Sequence, residues 1–163
     1  MNAVNDTRDS WPVLMLKCAL MLAEGRSTCQ RYHVGCIITD NHHGRWFVGS
    51  NGNHAGGPNN CDDPTIKGGC GCLHAEDNAI AKCDNTIGYR IAYVTAAPCK
   101  TCAKRLVNAG VREVYYSDPY TYTEGIAVLM NAGVAVTWVN PQDLAEDDDD
   151  DHEELCNCWD CER

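Results

Sequence analysis

The sequence is poor in positive charge. Its 163 residues include 13 Lys or Arg against 23 Asp or Glu, which gives a formal net charge of −10. Ten of the acidic residues and one arginine lie in residues 146–163, so the preceding 145 residues are close to neutral. Proteins that bind polynucleotides usually present a broad basic face to many phosphates. We therefore expect no polynucleotide partner, although one or two well-placed bases would be enough for a small anionic ligand.

The sequence also has no hydrophobic run long enough to cross a membrane. The apolar stretch at residues 13–23 is interrupted by Lys17, whereas a membrane-spanning helix needs about 20 apolar residues. Residues 1–10 are polar, include Asp6 and Asp9, and do not resemble a secretory signal. We therefore expect no membrane partner and a cytoplasmic protein, in the host cytoplasm if the protein is viral. In that reducing compartment the twelve cysteines are expected to be buried residues or metal ligands.

Length and composition predict one domain. A chain of this length with 44% hydrophobic residues can bury a core, and we assign that core to residues 1–145. Residues 146–163 form an acidic tail that is expected to be flexible. The tail contains potential metal ligands at His152, Cys156, Cys158 and Cys161. A metal site there is the alternative, but the spacing matches no standard zinc finger, so we interpret these thiols as incidental.

The pattern along residues 1–145 predicts an α/β fold. An opening helix capped by Ser10 is expected to end at Gly25, and a long loop without periodicity occupies residues 50–71. Strands are predicted at residues 33–39, 45–49, 90–95, 111–116 and 134–139, and further helices at residues 98–108 and 123–131 and from His74 onward. A hairpin followed by alternating helices and strands predicts a three-layer α/β/α sandwich with a central mixed five-stranded sheet.

The clearest functional signal is His74-Ala-Glu76 followed by Pro98-Cys99-x-x-Cys102. His74 and the two cysteines supply three zinc ligands, whereas a structural zinc normally takes four, so one position stays open for water. Glu76 lies two residues beyond the histidine, where it can carry protons without binding the metal. This pattern is typical of zinc-dependent nucleobase deaminases, in which the glutamate is the general acid and base. The alternatives are a helix-capping histidine and a reduced Cys-x-x-Cys redox pair.

Local chemistry supports that interpretation. Pro98 suits the first turn of a helix, which places Cys99 and Cys102 on one helix face near the positive end of the helix dipole. That position favours the thiolates that zinc requires. Because His74 also opens a helical pattern, two helix starts are expected to meet at one metal.

Beyond these motifs the sequence resembles the deoxycytidylate (dCMP) deaminases of the cytidine deaminase superfamily, including their phage-type branch. The resemblance is carried by residues 26–31 with 34–35, 49–52, 93–95, and the repeated Ala-Gly-Val at 109–111 and 132–134. It implies hydrolysis of dCMP to dUMP and ammonia. It also implies a homo-oligomer, a hexamer in many members. Regulation by dCTP and dTTP through the loop at residues 49–57 is implied too, with Mg²⁺ accompanying the allosteric nucleotide.

The resemblance assigns roles to four residues that bind substrate. It implies that Asn51 binds the substrate, that Arg31 contacts the phosphate or forms the wall of the site, and that Tyr120 closes over the substrate. The backbone N–H of Ala75 is expected to hold the C2 carbonyl. The residues themselves allow ordinary alternatives, in which Asn51 holds a turn, Arg31 is a surface charge and Tyr120 packs at the rim.

The sequence departs from the family at Ser50, where tyrosine is usual, and at Ala97, where a larger residue is common. A smaller wall would admit a 5-substituted cytosine nucleotide. The alternative substrates are therefore dCTP, free cytidine or deoxycytidine, and a 5-modified cytosine nucleotide. The non-enzymatic alternative is a structural zinc-binding scaffold.

Four more cysteines predict a second, structural zinc: Cys29, Cys61, Cys70 and Cys72. They lie in segments with no other evident anchor, and His54 is an alternative ligand for one of them. The phage-type branch also carries a second zinc, with cysteines at the first two of these places. Burial as ordinary apolar side chains is the alternative for all four thiols.

Overall fold

A computed structural model gives the structure for residues 8–66, 69–84, 86, 88–119 and 123–145. Tyr120 and the acidic tail at residues 146–163 lie outside these described residues. The expectations for Tyr120 and for the cysteines of the tail therefore stay predictions. Within the described part of the chain, no helix combines the length and apolar character needed to cross a bilayer.

Helices and strands follow one another in the predicted order. The helices are α1 (Trp11–Arg26), α2 (Ala75–Ile80), α3 (Lys100–Asn108) and α4 (Thr123–Asn131). The strands are β1 (Gly35–Asp40), β2 (Trp46–Ser50), β3 (Arg90–Ala96), β4 (Val111–Asp118) and β5 (Ala135–Trp138), and a short 3₁₀ turn follows at Pro141–Leu144. The described residues between β2 and α2 form turns and bends with one isolated β-bridge between Gly52 and Leu73, and contain no helix or longer strand, as the lack of periodicity predicts.

The strands form one mixed sheet in the order β2-β1-β3-β4-β5. β1 runs antiparallel to both neighbours, so Cys36 lies opposite Gly49 on one side and Val94 on the other. β3, β4 and β5 run parallel, because each is joined to the next by a helix that returns the chain to the same end of the sheet. The predicted mixed five-stranded sheet is confirmed.

Helices cover both faces of this sheet. On one face α1 packs Met15, Leu16 and Ala19 against Ile37 and Tyr93. On the other face α2, α3 and α4 enclose a second apolar core that includes Ala75, Ala79, Ala103, Leu106 and Leu129. The predicted three-layer α/β/α sandwich is therefore confirmed.

Two predicted helix ends are wrong. Pro98 does not lie in the first turn of α3, because Cys99 takes the N-cap position with extended backbone angles and the helix begins at Lys100. α1 continues through Gly25 to Arg26, since the carbonyl of Ala23 still accepts a hydrogen bond at 3.2 Å from the next residue, Ser27.

Close backbone contacts bring the starts of α2 and α3 to the carboxyl edge of the sheet. A side chain at Gly49 would collide with the backbone of Ala75 and Ala79, so only glycine lets β2 approach α2 this closely. The backbone N–H of Ala97, just after β3, donates to the carbonyl of Asp118 at 2.8 Å. This bond joins the ends of β3 and β4 directly before Cys99.

Candidate active site and metal centres

The starts of α2 and α3 meet at His74, Cys99 and Cys102. His74 is the N-cap residue of α2, and its Nδ1 lies 3.6 Å from Cys99 Sγ and 3.3 Å from Cys102 Sγ. Tetrahedral zinc with ordinary Zn–N and Zn–S bonds separates such ligand atoms by about 3.6 Å. The donor set and its spacing therefore fit zinc, and the predicted convergence of two helix starts is confirmed.

Electrostatics already favour a thiolate in this group. Hydrogen bonds from Cys102 and His74 hold the pKa of the Cys99 thiol far below its usual range, at about 3. The hydrogen bond to Cys99 in turn raises the pKa of His74 to about 9 and raises that of Cys102 strongly. Cys99 Sγ also accepts the backbone N–H of Cys102 at the positive end of α3. One ligand is thus deprotonated before any metal charge is considered, which suits metal binding.

Glu76 lies in the same site and is almost completely enclosed. It is the second residue of α2 and is only 4% exposed. Burial disfavours the charged carboxylate and raises the pKa of Glu76 to about 7. A carboxyl group that titrates near neutrality is well matched to proton transfer at physiological pH.

An ion pair that the sequence analysis missed ties the two ligand helices together. Asp77 of α2 accepts a charge-assisted bond from Arg105 of α3. The other oxygen of the carboxylate, Oδ1, is buried and has no hydrogen-bond partner among the described residues. Asp77 lies three residues beyond His74, and Arg105 lies three residues beyond Cys102. The signal in the sequence was therefore an acid and a base, each one helical turn from a metal ligand.

A cavity opens in front of these groups. It occupies about 760 Å³ when its solvent-open part is included, which is within the range of small-molecule sites. His74, Ala75 and Glu76 line its floor, and Asn51 and Arg31 line it as well. Its remaining wall includes Tyr32, Val34, Cys70, Cys72, Ala96 and Ala97. The three predicted substrate residues within the described chain therefore lie at one cavity.

The side chain of Asn51 organises this wall. Its Oδ1 accepts bonds from Ser27 Oγ at 2.6 Å and from the backbone N–H of Val34 at 2.8 Å, and its Nδ2 donates to the carbonyl of Tyr32 at 2.6 Å. Asn51 thus holds the segment that carries Arg31. This is the turn-holding role that the sequence analysis considered, and the role in substrate binding stays a prediction.

Arg31 and Tyr32 form the outer rim. Arg31 is exposed and its Nη1 donates to the carbonyl of Pro64 at 2.6 Å. Tyr32, which the sequence analysis missed, donates its hydroxyl to Asp118 at the end of β4. These two residues therefore connect the segment before β1 to the long loop after β2 and to the carboxyl end of β4.

The second cysteine group is also assembled. Cys29 Sγ lies 3.6 Å from Cys61 Sγ and 3.8 Å from Cys70 Sγ, and Cys72 Sγ lies 3.5 Å from Cys61 Sγ. A tetrahedral zinc with four thiolates places sulfurs about 3.8 Å apart. His54, the alternative ligand, is exposed and turns its Nδ1 toward the carbonyl of Ala55 at 3.1 Å. The geometry thus favours four cysteines over a set with His54.

Backbone amides favour a thiolate at Cys29, whereas burial raises the pKa of Cys70 and of Cys72. Burial acts to raise the pKa of Cys29, but the backbone N–H groups of Tyr32 and Arg31 outweigh it and lower that pKa to about 7. The N–H of Gln30 points at Cys61 Sγ at 3.2 Å. Gly71 has a φ of +88°, and this left-handed turn lets the sulfurs on either side reach the same centre.

Comparison with known proteins identifies the family of this chain. The family profile for the cytidine and deoxycytidylate deaminase zinc-binding region matches residues 9–118. The chain is 35% identical over 141 residues to deoxycytidylate deaminase of Saccharomyces cerevisiae, covering 79% of this chain but only 45% of the yeast protein. It is 35% identical over 149 residues to ComE operon protein 2 of Bacillus subtilis, covering 86% of this chain and 77% of that protein.

The fold of this chain is also similar to that of a solved structure of a dCMP deaminase. The dCMP deaminase of cyanophage S-TIM5, crystallised in complex with dCMP and dUMP, superposes with a TM-score of 0.66 at 34% identity. The match covers 76% of this chain and 93% of the cyanophage chain. The profile spans both motifs and most of the described core, so the chain belongs to the cytidine and deoxycytidylate deaminase zinc-binding family.

Proposed function

We propose that the protein is a zinc-dependent deaminase that hydrolyses dCMP to dUMP and ammonia. The observation that carries the proposal is the shared cavity, in which a three-ligand zinc site stands beside the buried carboxyl group of Glu76. A fourth protein ligand would indicate a structural zinc, and none of the described residues completes the group. The names of the yeast and cyanophage relatives support dCMP as the substrate.

The reaction replaces the exocyclic amine at C4 with an oxygen from water. His74, Cys99 and Cys102 would hold the zinc, which would supply the Lewis acidity that makes water nucleophilic near neutral pH. Glu76 accepts one proton from the attacking water and delivers it to ring N3, while the water oxygen forms a bond to C4. The remaining hydroxyl proton then passes through Glu76 to the exocyclic nitrogen, the C4–N bond breaks, and ammonia departs as the C4 carbonyl forms. The atoms of water and dCMP are thus all accounted for in dUMP and ammonia.

The remaining cavity residues are proposed to hold the nucleotide. Arg31 is the exposed cation at the rim and is assigned to the 5′-phosphate. The N–H of Ala75, at the first position of α2, is assigned to the C2 carbonyl because the first N–H groups of a helix have no partner within it. Asn51 is assigned to the sugar side of the site, because it lines the cavity and Nδ2 has one N–H left beyond its bond to Tyr32. Tyr120 keeps its proposed role as a cover.

The four-cysteine group is proposed to hold a structural zinc that supports the same cavity. Cys70 and Cys72 belong to both the group and the cavity wall. The next residue, Leu73, exchanges two backbone hydrogen bonds with Gly52, at 3.0 and 2.7 Å. A metal at these cysteines would therefore brace the segments that lead into His74 and out of Asn51.

We propose three further properties on family likeness alone. The protein is proposed to be a homo-oligomer, specifically a hexamer. It is also proposed to be located in the cytoplasm. dCTP and dTTP are proposed as effectors that act through the loop at residues 49–57, with Mg²⁺ bound by the nucleotide.

Substrate profiling tests the proposed function. The zinc-loaded protein is expected to release ammonia from dCMP far faster than from deoxycytidine, and 5-methyl-dCMP tests whether Ala97 leaves room for a substituent.

Arg31→Ala should reduce the preference for dCMP by about ten- to a hundredfold, the value of one charge-assisted hydrogen bond. Arg45→Ala, on the hairpin and bonded to Thr86 at 2.5 Å, is the matched control and should change nothing. Equal rates on dCMP and deoxycytidine would favour the nucleoside alternative, and no turnover by zinc-loaded protein would favour the scaffold.

A further inference from the structure

The orientation of the Asn51 side-chain amide is fixed by its partners. The backbone N–H of Val34 can only donate, so the amide atom that it contacts at 2.8 Å is the oxygen Oδ1. The carbonyl of Tyr32 can only accept, so the amide atom 2.6 Å from it is the nitrogen Nδ2. These two partners of opposite kind exclude the flipped amide. Asn51 is buried and lines the active-site cavity, so this orientation decides what the cavity offers to a ligand.

The hydrogen bonds of this amide leave the cavity a donor rather than an acceptor. Oδ1 already accepts two bonds, from Val34 and from Ser27 Oγ at 2.6 Å, and these use both of its lone pairs. Nδ2 carries two N–H groups and gives one of them to Tyr32, while no residue of the described chain receives the other. A ligand that bonds to this amide must therefore present an acceptor oxygen.

Ser27 is held in place to make its bond to Asn51. It directly follows α1, and its backbone N–H donates to the carbonyl of Ala23 at 3.2 Å. Its Oγ accepts the backbone N–H of Cys29 at 3.3 Å. The hydroxyl proton is left for Asn51, whose Oδ1 lies at 2.6 Å and whose backbone carbonyl oxygen lies at 3.0 Å. The end of a helix thus fixes this hydroxyl against the oxygen of the amide.

Thr28 holds the backbone of the loop that carries Asn51. Its N–H donates to the carbonyl of Asn51 at 3.1 Å, and its Oγ1 accepts the N–H of Asn53 at 3.3 Å. These bonds are made without the hydroxyl of Ser27. Removal of that hydroxyl is therefore expected to loosen the amide of Asn51 and to leave the path of the loop unchanged.

We propose that Ser27 is a positioning residue that orients Asn51 so that its remaining N–H donates to an acceptor oxygen in the sugar-phosphate part of the nucleotide. Ser27 does not itself line the cavity, so it acts through Asn51. The inference rests on the proposed deamination of dCMP and adds to it the polarity of one contact. The 3′-hydroxyl and the 5′-phosphate both carry acceptor oxygens, and analogues that lack one or the other distinguish them.

Steady-state kinetics of Ser27→Ala tests this role. Loss of one neutral hydrogen bond is expected to raise KM for dCMP about three- to tenfold and to change kcat by less than about twofold, because binding rather than chemistry is affected. Ser27→Thr keeps the hydroxyl and is expected to recover most of the lost affinity. Ser10→Ala is the matched control, because it removes a hydroxyl that makes no capping bond at the other end of α1. Circular dichroism and zinc content verify that the variants are folded and loaded.

Substrate analogues separate a positioning role from a general loss of structure. If the N–H contacts the 3′-oxygen, Ser27→Ala should cost nothing in kcat/KM on 2′,3′-dideoxycytidine monophosphate, and if it contacts the phosphate, the variant should cost nothing on deoxycytidine. Either result supports the proposal. An equal loss on all three substrates, or no loss on dCMP, would overturn it. Calorimetric titration with dUMP needs no turnover, so an unchanged Kd for Ser27→Ala would contradict the inference even if the protein failed to deaminate dCMP.

Discussion

At the scale of single residues, the structure concentrates unusual protonation behaviour in one place. Glu76 is buried and has a pKa of about 7, and it stands beside Cys99, whose pKa is about 3. Perturbed titrating groups in a cavity are typical of catalytic sites. The two residues are shifted for different reasons, because burial dominates at Glu76 whereas hydrogen bonds dominate at Cys99.

Glu76→Gln is expected to keep zinc and nucleotide binding and to lose turnover. The amide preserves the size of the side chain but cannot transfer a proton, and loss of general acid and base catalysis costs about a hundredfold to ten-thousandfold in rate. Single-turnover kinetics with dCMP and metal analysis measure both properties. Glu24→Gln, exposed near the end of α1, is the control. Near-normal deamination by zinc-loaded Glu76→Gln would remove Glu76 from its assigned role.

A second residue-scale prediction concerns the four-cysteine group. Two zinc ions per chain are expected in the wild type and one in Cys61→Ser, measured by mass spectrometry of the intact protein or by atomic emission. Since a structural zinc contributes directly to folding, the melting temperature should fall as well. Cys83→Ser, whose half-buried thiol belongs to neither group, should keep two zinc ions. A wild type that binds a single zinc would rule out the second site.

At the scale of elements, the active site depends on how α2 and α3 are held together. One helix contributes His74 and Glu76, and the start of the other contributes Cys99 and Cys102. The ion pair between Asp77 and Arg105 is a polar contact that joins these two helices. Because Asp77 is largely buried, this pair should contribute more than an exposed one.

A double-mutant cycle with Asp77→Asn and Arg105→Gln tests that contact. Each single variant is expected to lower kcat about tenfold with little change in KM, since ligand placement rather than substrate binding is affected. The coupling free energy should be about 0.5–3 kcal/mol. The exposed pair of Lys100 and Glu124, joining α3 to α4 at 3.3 Å, is the control and should couple by less than about 1 kcal/mol. Independent effects of the two active-site variants would show that the contact does not position the helices.

At the scale of the whole molecule, the last described turn closes the core. Leu144 is buried beneath α1 together with Met15 and Leu16, although it lies beyond the last strand. The described core therefore includes the 3₁₀ turn, and the domain limit at residue 145 stays a prediction. The acidic residues that follow carry most of the net charge and lack any pattern that would form a core.

Two truncations test this limit. A chain that ends after residue 145 is expected to retain its fold and its activity. A chain that ends after residue 140 loses Leu144, and removing a buried leucine side chain costs about 2–5 kcal/mol of unfolding free energy. Urea denaturation and dCMP turnover distinguish the two. Failure of the longer truncation to fold would show that residues 146–163 contribute to the core.

The sequence determined the chemistry and the order of elements, because both depend on short spacings. The His-x-Glu and Cys-x-x-Cys motifs hold their functional side chains one helical turn or less apart, so local geometry decides the direction of those side chains. Alternation of apolar segments with Gly110 and Gly133 likewise separated the later helices and strands, and the confirmed sheet follows from that alternation.

Only the tertiary structure decided which distant residues meet. Cys29 lies between α1 and β1, whereas Cys61, Cys70 and Cys72 lie in the loop after β2. Their convergence therefore depends on the path of that loop rather than on a repeating pattern. The side chain of Asn51 binds three groups of the preceding segment, and Asp77 pairs with Arg105 across two helices, for the same reason. The start of α3 was also decided by the tertiary structure, since Cys99 takes the N-cap position and there faces His74. Side-chain contacts between separate segments are set by packing, and sequence spacing does not encode them.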